Sequence, residues 1–541
     1  MAKFGIAFLV LNALLTFENA APGIGIRFAW RLSFELCLLV AALSAWVAWR
    51  GPLPHRAAQC LAAVFVFLGL VRYVDVTVAA VFGRPVNAYW DGRHGFDALR
   101  LSLEAVPGWQ IVAGVVACAA GLFIAYRALR WAIASLSIAM STTRSWSAQR
   151  PVLLVTIAAL CVSFAAYKQD VRDTRWFFSL PIAPTLVRQA QLLPGVLLPG
   201  GDASLPASPS FNGNVAALRG ADVLLIFAES YGVTAFDDPV QNAALQASRS
   251  AFGAAIAASG RHVVSARIKS PTFASGSWLA HAALLSGVDT RRPGAYDVLL
   301  ASKRPTLVSH FASHGYRTVG WMPGLQKPWP EGGYYGFDRI AGVHDLRYSG
   351  LEFGFWRVPD QAAMGLLHEQ ELERGSDEKR ATPSPIRRQP RFVVFPTLAT
   401  HVPFRPLPPL IADASKITQP DAYSVADLQN AMLAPVTWDQ AVPAYVESMR
   451  YQYGWLGAYL QQRANRGTVM IVIGDHQPLA AVSGQKASWD VPMHVIADDP
   501  DLLKHFVAHG FAEGLQPPRG TLTDMSGLTR TLIEIFTDPS G

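Results

Sequence analysis

The first 167 residues contain five apolar stretches, at about 4–20, 32–49, 57–82, 109–126 and 151–167. Each approaches or exceeds the ~20 apolar residues that an α-helix needs to cross ~30 Å of hydrocarbon. Inside hydrocarbon the backbone finds no water, so a segment of this kind must satisfy its own hydrogen bonds as a helix. The chain is therefore predicted to begin as a five-helix transmembrane bundle. That excludes a purely soluble enzyme and a disordered scaffold. Composition agrees, since only 16% of residues are charged and 51% are hydrophobic, against about 25% charged in soluble domains. The first run, FGIAFLVLNALLTF, also has the size of a signal-peptide core. No small-residue cleavage site leads from it into a soluble domain and four more runs follow, so it reads as an anchor.

Basic residues orient the bundle. The loop between the fourth and fifth runs carries Arg127, Arg130, Arg144 and Arg150, that between the second and third carries Arg50 and Arg56, and Lys3 precedes the first. The opposite loops carry Arg27, Arg31, Arg84, Arg93 and Arg100, so seven basic residues face five. The bias puts the N-terminus inside and everything after residue 167 outside. Arg72 and Asp75 lie three apart in the third run, where a charge is costly unless paired or used. They read as an internal ion pair or, with the loop Gly83–His94, as a grip on a lipid headgroup; Tyr89 and Trp90 also suit an interfacial belt.

All four cysteines (Cys37, Cys60, Cys118, Cys161) sit in the apolar runs, so the rest of the chain carries neither a disulfide framework nor a cysteine metal site. The net charge of +7 comes without a Lys/Arg run, which leaves nucleic-acid binding unsupported. Residues 168–215 open as KQDVRDTRWFF, suited to an interfacial helix, and pass into a Pro/Gly/Ser-rich linker. From 216 to 541, apolar strands such as ADVLLIF, HVVSARI, YRTVGWM, RFVVFPTL, TVMIVIGD and VPMHVIA alternate with helical segments. That alternation predicts an α/β domain, its sheet mostly parallel and covered by helices on both faces. The charged stretch Glu369–Arg391 reads as a surface loop.

Ligands of such sheets gather at the carboxyl ends of the strands. One strand ends in Glu229 (VLLIFAESYG) and another in Asp475-His476 (VMIVIGDHQP). A strand-end Glu alone is commonly a helix cap. Two carboxylates and an imidazole together suit Mn2+, Zn2+ or Mg2+. Between them, SPTFASGSWLAHAALLSG (Ser270–Gly287) leads small residues into a helix whose N-terminal amides can hold a phosphate or sulfate. A hydroxyl there, next to a divalent ion, is suited to attack phosphorus; the bland reading is a Ser/Thr cap.

This order of motifs resembles the alkaline phosphatase–sulfatase superfamily. Five helices ahead of such a domain resemble the lipoteichoic-acid-synthase type of phosphoglycerol transferase, or the phosphoethanolamine transferases. The resemblance implies one divalent metal, Mn2+ first with Zn2+ or Mg2+ as alternatives, held by Glu229, Asp475, His476 and the nucleophile. Members place that nucleophile ten residues before the Gly of an L-[ST]-G ending, which from Gly287 points to Ser277, with Thr272 as runner-up. His401, in PTLATHVPF, resembles the catalytic histidine beside the transferred phosphoryl group. Thr272, Trp321 and Lys327 are the substrate-binding candidates, the last two from the segment HGYRTVGWMPG…YYGFDRI. Asp-His-Gln (Gln477) stands where the family has Asp-His-Gly, and Ser277 where the transferases have Thr. No C/S-x-P-x-R signature is present and no cysteine lies in this domain, so formylglycine chemistry is not expected. The implied reaction moves a phospholipid headgroup phosphate, through a covalent Ser intermediate, onto an envelope glycan or lipid at the bacterial inner membrane, with the catalytic domain periplasmic. Its rivals are a phosphodiesterase or sulfatase using the same site, and a sensor on a dead fold.

The charge bias has a direct test. Single cysteines at positions 144 and 208 of a cysteine-free chain, probed with an impermeant thiol reagent in intact cells, should label at 208 only. Labelling at 144 alone reverses the orientation.

Overall fold

The computed structural model describes residues 2–20, 24–89, 91–92, 108–142, 146–168, 178–179, 181–197, 205–292, 294–354, 357–373, 388–434 and 441–537. Trp90, His94, Arg144, part of the expected linker and most of the charged stretch 369–391 lie outside the described residues. The chain divides into two compact units, Met1–Leu197 and Leu198–Gly541.

The first unit holds helices α1 (Ala2–Thr16), α2 (Phe34–Arg50), α3 (His55–Phe82), α4 (Gly108–Ser141), α5 (Trp146–Lys168) and α6 (Ala183–Leu197). Ser33 caps α2 by accepting the Leu36 N–H, Glu35 sits in its first turn, and Gly51 ends it at φ 85°. Leu11, Leu36, Leu43, Phe65, Ile133 and Leu136 belong to one apolar cluster joining α1 to α4. Two helices, α3 and α4, are long and apolar enough to cross a membrane. At 15 and 17 residues α1 and α2 are shorter than a full span, and the apolar part of α5 is Arg150–Val162. The expected five-span bundle is thus matched by length and composition in two helices among the described residues.

Two boundaries differ from expectation. The fourth run continues as helix to Ser141, past the arginines expected to open a loop. Residues 127–141 contain neither Gly nor Pro and are rich in Ala, Leu and Ile, so nothing in them stops a helix. Within the expected linker, α6 forms and is tied back to the end of α3. Asp75 accepts from Thr185 Oγ1 (3.0 Å), and Gln189 bonds both the Ala88 N–H and the Val86 carbonyl (2.8 Å each). Arg72 is buried and its Nε donates to the Phe17 carbonyl at 3.1 Å.

The second unit is built on a nine-stranded sheet. Its strands are β1 (Asp222–Ala228), β2 (His262–Lys269), β3 (Arg317–Trp321), β4 (Arg339–Ala341), β5 (Arg391–Pro396), β6 (Thr468–Gly474), β7 (Asp490–Ala497), β8 (Ala512–Glu513) and β9 (Thr523–Asp524). They lie in the order β8-β2-β7-β6-β1-β5-β3-β4, with β9 on β2. From β6 to β4 every pairing is parallel, as expected. On the other side β7 runs antiparallel to both β6 and β2, so the sheet is mixed rather than mostly parallel throughout. Every residue of β1 and β6 is buried, which is the pattern of central strands covered on both faces. One face (Leu224, Ile226, Met470, Val472) joins a core with α7 (Pro239–Ala258), α8 (Asp360–Leu367) and α9 (Ala441–Gln462). On the other face Phe392 stacks on Phe311 (4.1 Å) and Phe227 meets His281 (4.1 Å).

At the carboxyl end of β6 the chain passes very close to the turn after β1. A Cβ on Gly474 would stand 1.9 Å from the Tyr231 carbonyl oxygen and 3.0 Å from Val491 Cβ. Neither neighbour is a flexible side-chain tip, so Gly474→Ala should destabilise the domain by about 3 kcal/mol, the upper end for overpacking. Thermal unfolding of the full chain reads this; a melting temperature equal to wild type would mean that the turn yields freely.

Candidate active site

Because β1 and β6 pair with Ala228 opposite Gly474, the next residues, Glu229 and Asp475, leave the sheet side by side at its carboxyl edge. Glu229, Asp475 and His476 are all buried, with ligand atoms within 4.8 Å of one another. His476 Nε2 lies 3.4 Å from Glu229 Oε1 and 3.8 Å from Asp475 Oδ2. His476 Nδ1 sits 2.8 Å from the Gln477 carbonyl oxygen, a contact that requires a proton on Nδ1 and leaves the Nε2 lone pair facing the carboxylates.

The backbone holds these groups from several sides. Asp475 Oδ1 accepts N–H bonds from Ser230 (2.8 Å) and His476 (2.7 Å). Ser230 does so from a left-handed conformation (φ 53°), an uncommon one for a residue with a Cβ. Glu229 receives the Ser230 hydroxyl on Oε1 at 3.0 Å. Asp475 Oδ2 is buried with no hydrogen-bond partner among the described residues. A bare carboxylate oxygen there is costly, and a cation among these three residues would satisfy it. Burial, with the Glu229 carboxylate beside it, pushes Asp475 up to about 6. The donor set, two hard oxygens and one imidazole, fits a divalent metal.

Ser277 completes the group. It opens a ten-residue helix, Ser277–Ser286, directly after Gly276, whose φ of 82° suits a residue without a Cβ. Its Oγ donates to Glu229 Oε2 at 2.9 Å and lies 3.2 Å from His476 Nε2. The preceding loop is fastened to the strand end: Ser270 Oγ donates to the Asp475 carbonyl, and the Ala274 N–H to that of Gln477. Thr272 is placed elsewhere, its hydroxyl donating to the Ser275 carbonyl, where it closes the turn before Gly276.

His401 stands half-buried on the turn after β5, with Nδ1 2.6 Å from the Val402 carbonyl oxygen. Burial pushes its imidazole down, towards the neutral form. Its turn is bolted to Glu229: the Glu229 N–H reaches Thr397 Oγ1 (3.1 Å), and Thr400 Oγ1 donates to the Glu229 carbonyl. Trp321 needs correction as a substrate contact. Trp321 is fully buried in the core and its indole N–H donates to the Ala363 carbonyl at 2.9 Å. Lys327 is exposed on the loop after β3.

Two residues of the site escaped the sequence reading. His281, one helical turn after Ser277, packs against Phe227 with the rings tilted by 39°, is held down to about 4 by burial, and has no hydrogen-bond partner at Nε2 among the described residues. Its i, i+4 spacing from Ser277 was the available signal. Buried Asp360 accepts the Leu398 and Ala399 N–H groups (2.8 Å each), fixing the turn that carries His401 from the side opposite Glu229. The departure at Gln477 also has a physical account: its buried side chain donates to the Asp490 carbonyl (3.1 Å) and accepts from the Thr234 N–H (3.4 Å).

A family model described as Sulfatase matches residues 222–495, which include Glu229, Ser277, His401, Asp475 and His476. No curated protein matches the chain. Among solved structures, an alkaline phosphatase superfamily protein from Vibrio parahaemolyticus is similar at 14% identity and a TM-score of 0.33, covering 62% of this chain and 69% of that one. The lipoteichoic acid synthase LtaP from Listeria monocytogenes is similar at 12% identity and a TM-score of 0.35, covering 61% and 79%. The C-terminal periplasmic domain of EcEptC from Escherichia coli is similar at 12% identity and a TM-score of 0.34, covering 62% and 85%.

The raised Asp475 carboxyl sets an expectation for metal removal. With its folded value above the ordinary 3.8, the metal-free fold prefers Asp475 protonated. That contribution is full below 3.8 and lost as pH rises through about 6. A chelator should therefore lower the melting temperature more at about pH 8 than at about pH 5, because a bound cation needs the ionised carboxylate. Equal losses at both pH values would remove Asp475 from the ligand set, as would normal metal content in Asp475→Ala.

Proposed function

This chain belongs to the sulfatase family, and from that premise we propose that it is a metal-dependent transferase of phospholipid headgroup phosphate. The donor is a membrane phospholipid carrying phosphoglycerol or phosphoethanolamine, and the acceptor is a hydroxyl of an envelope glycan or lipid. The observation that carries the reading is the placement of Ser277 Oγ against both Glu229 and His476 at a helix N-terminus. A divalent ion held by Glu229, Asp475 and His476, Mn2+ by preference, would supply positive charge at the Ser277 oxygen and at phosphorus.

The chain's own residues do the rest. Ser277 attacks phosphorus, its Oγ–P bond forming as the bond to the diacylglycerol oxygen breaks. The N-terminal amides of its helix and the backbone around Gly276 face the phosphoryl oxygens. His401 stands on the turn beside Glu229 with a neutral ring, suited to take the Ser277 hydroxyl proton and pass it to the departing diacylglycerol oxygen, then to take the proton of the incoming alcohol and return it to Ser277. The domain after residue 216 would work on the periplasmic side of the inner membrane, and residues 1–167 would hold it there. Fusion to apolar helices supports a lipid donor over a soluble ester.

Incubation of the full chain with phosphatidylglycerol or phosphatidylethanolamine vesicles, followed by intact-mass measurement, tests this. A gain equal to glycerol phosphate or ethanolamine phosphate identifies the donor. Ser277→Ala should abolish the gain while metal content persists. Thr272→Ala should keep it, with a stability loss of about 1 kcal/mol from the opened turn. Phosphate trapped on Thr272 instead would move the nucleophile.

A further inference from the structure

The connector between α1 and α2 is built the wrong way round for a loop in water. Ile24, Ile26, Phe28 and Trp30 take alternate positions through the short strand Ile26–Arg27, and all are exposed, at 74%, 44%, 68% and 92%. The charged groups are instead paired with one another. Glu18 meets both Arg27 and Arg31, and its own two-residue strand Glu18–Asn19 runs antiparallel to Ile26–Arg27. The backbone is answered by protein as well. The carbonyls of Ile24, Ala29 and Arg31 accept from the side chains of Tyr73, Thr16 and Asn12, which belong to α3 and α1. A solvated loop can leave such carbonyls to water, whereas a segment at membrane depth must find protein donors for them and can turn its apolar side chains outward.

Helix lengths put this connector at the edge of a bilayer. At 15 and 17 residues, α1 and α2 rise about 22 and 26 Å, short of ~30 Å of hydrocarbon. At 28 residues α3 rises about 42 Å and exceeds it by about 12 Å. With His55 at the inner boundary, the side to which the basic residues assign it, that surplus falls at the Phe82 end. Tyr73, which holds the Ile24 carbonyl, lies about 14 Å before Phe82 along the helix. The connector is thus level with the outer boundary, where the two short helices run out.

We propose that residues 24–30 dock into the outer leaflet, with Ile24, Ile26, Phe28 and Trp30 lying at the junction of phospholipid headgroups and acyl chains. The segment makes up the length that α1 and α2 lack. An indole suits that junction, and Arg27, 70% exposed, reaches the phosphates from it. The inference rests on the membrane placement in the function proposed above and adds the depth at which the first unit is held.

The test uses the full chain without its native cysteines, reconstituted in phosphatidylethanolamine–phosphatidylglycerol vesicles. Each sample carries one nitroxide label, through Phe28→Cys, Trp30→Cys, Val116→Cys or Lys416→Cys. All four side chains are exposed, so the labels displace no packing. Power-saturation electron paramagnetic resonance compares collisions with oxygen, which concentrates in lipid, and with a water-soluble nickel chelate. Val116 on α4 is the lipid reference, and Lys416 in the second unit is the water reference. The oxygen-to-nickel ratio at 28 and 30 should exceed that at 416 severalfold and approach that at 116. A ratio equal to that at 416 would put the segment in water, and low access to both reagents would put it under protein. Either result overturns the docking while 116 still reports lipid. A water-like ratio at 116 as well would remove the membrane placement, and the docking with it.

Discussion

The structure of the second unit turns on a buried electrostatic cost: two carboxylates, Glu229 and Asp475, are held at the ends of adjacent central strands and away from water. Like charges in a low-dielectric place repel, and desolvation penalises each. The surrounding chain offsets this with donors. Ser230 bends into a left-handed conformation to give its N–H to Asp475, its hydroxyl goes to Glu229, and Ser277 adds another. One Asp475 oxygen is left unanswered. A cation held among Glu229, Asp475 and His476 would answer that open oxygen.

The same need explains the tight packing of the turns. The residues after β1 and β6 interlock so closely that Gly474 has no room for a side chain, and Gln477 closes the gap with bonds to Thr234 and Asp490. The turn bearing His401 is clamped between Glu229 on one side and Asp360 on the other. His401 and the candidate metal ligand Glu229 therefore share one hydrogen-bonded mount, as charge stabilisation without reorganisation would require.

Much of this could be read from the sequence because apolar strands ending abruptly in Glu or Asp-His carry both the strand and its functional end in one short segment. Ser277 was readable from the small residues before it and from its spacing to Gly287 within the family pattern. What stayed hidden was tertiary. Asp360 lies 38 residues before the turn it clamps, and no local pattern links the two. His281 looked like one more residue of an apolar helix. Trp321 attracted a functional reading because it adjoins a recognisable motif, yet its bulk fills the core. The direction of β7 was also invisible, since a strand buried on both faces has the same apolar pattern whichever way it runs. In the first unit Arg127 and Arg130 read as the start of a loop, whereas the helix passes straight through both.

That unbroken α4 has a geometric consequence. Its 34 residues rise about 51 Å at 1.5 Å each, and even a tilt of about 40° leaves the rod longer than ~30 Å of hydrocarbon. Its ends therefore cannot define how deep the unit floats. Arg127 and Arg130 lie near its middle, between a solvent- or lipid-facing apolar half (Val112, Val116, Phe123) and a half packed against α1–α3 (Leu129, Ile133, Leu136). Long basic side chains seek the headgroup layer. With α4 across a bilayer, the arginine pair would act as a waterline painted part-way along a mast, and shifting it by one turn would raise or lower the unit by about 5.4 Å.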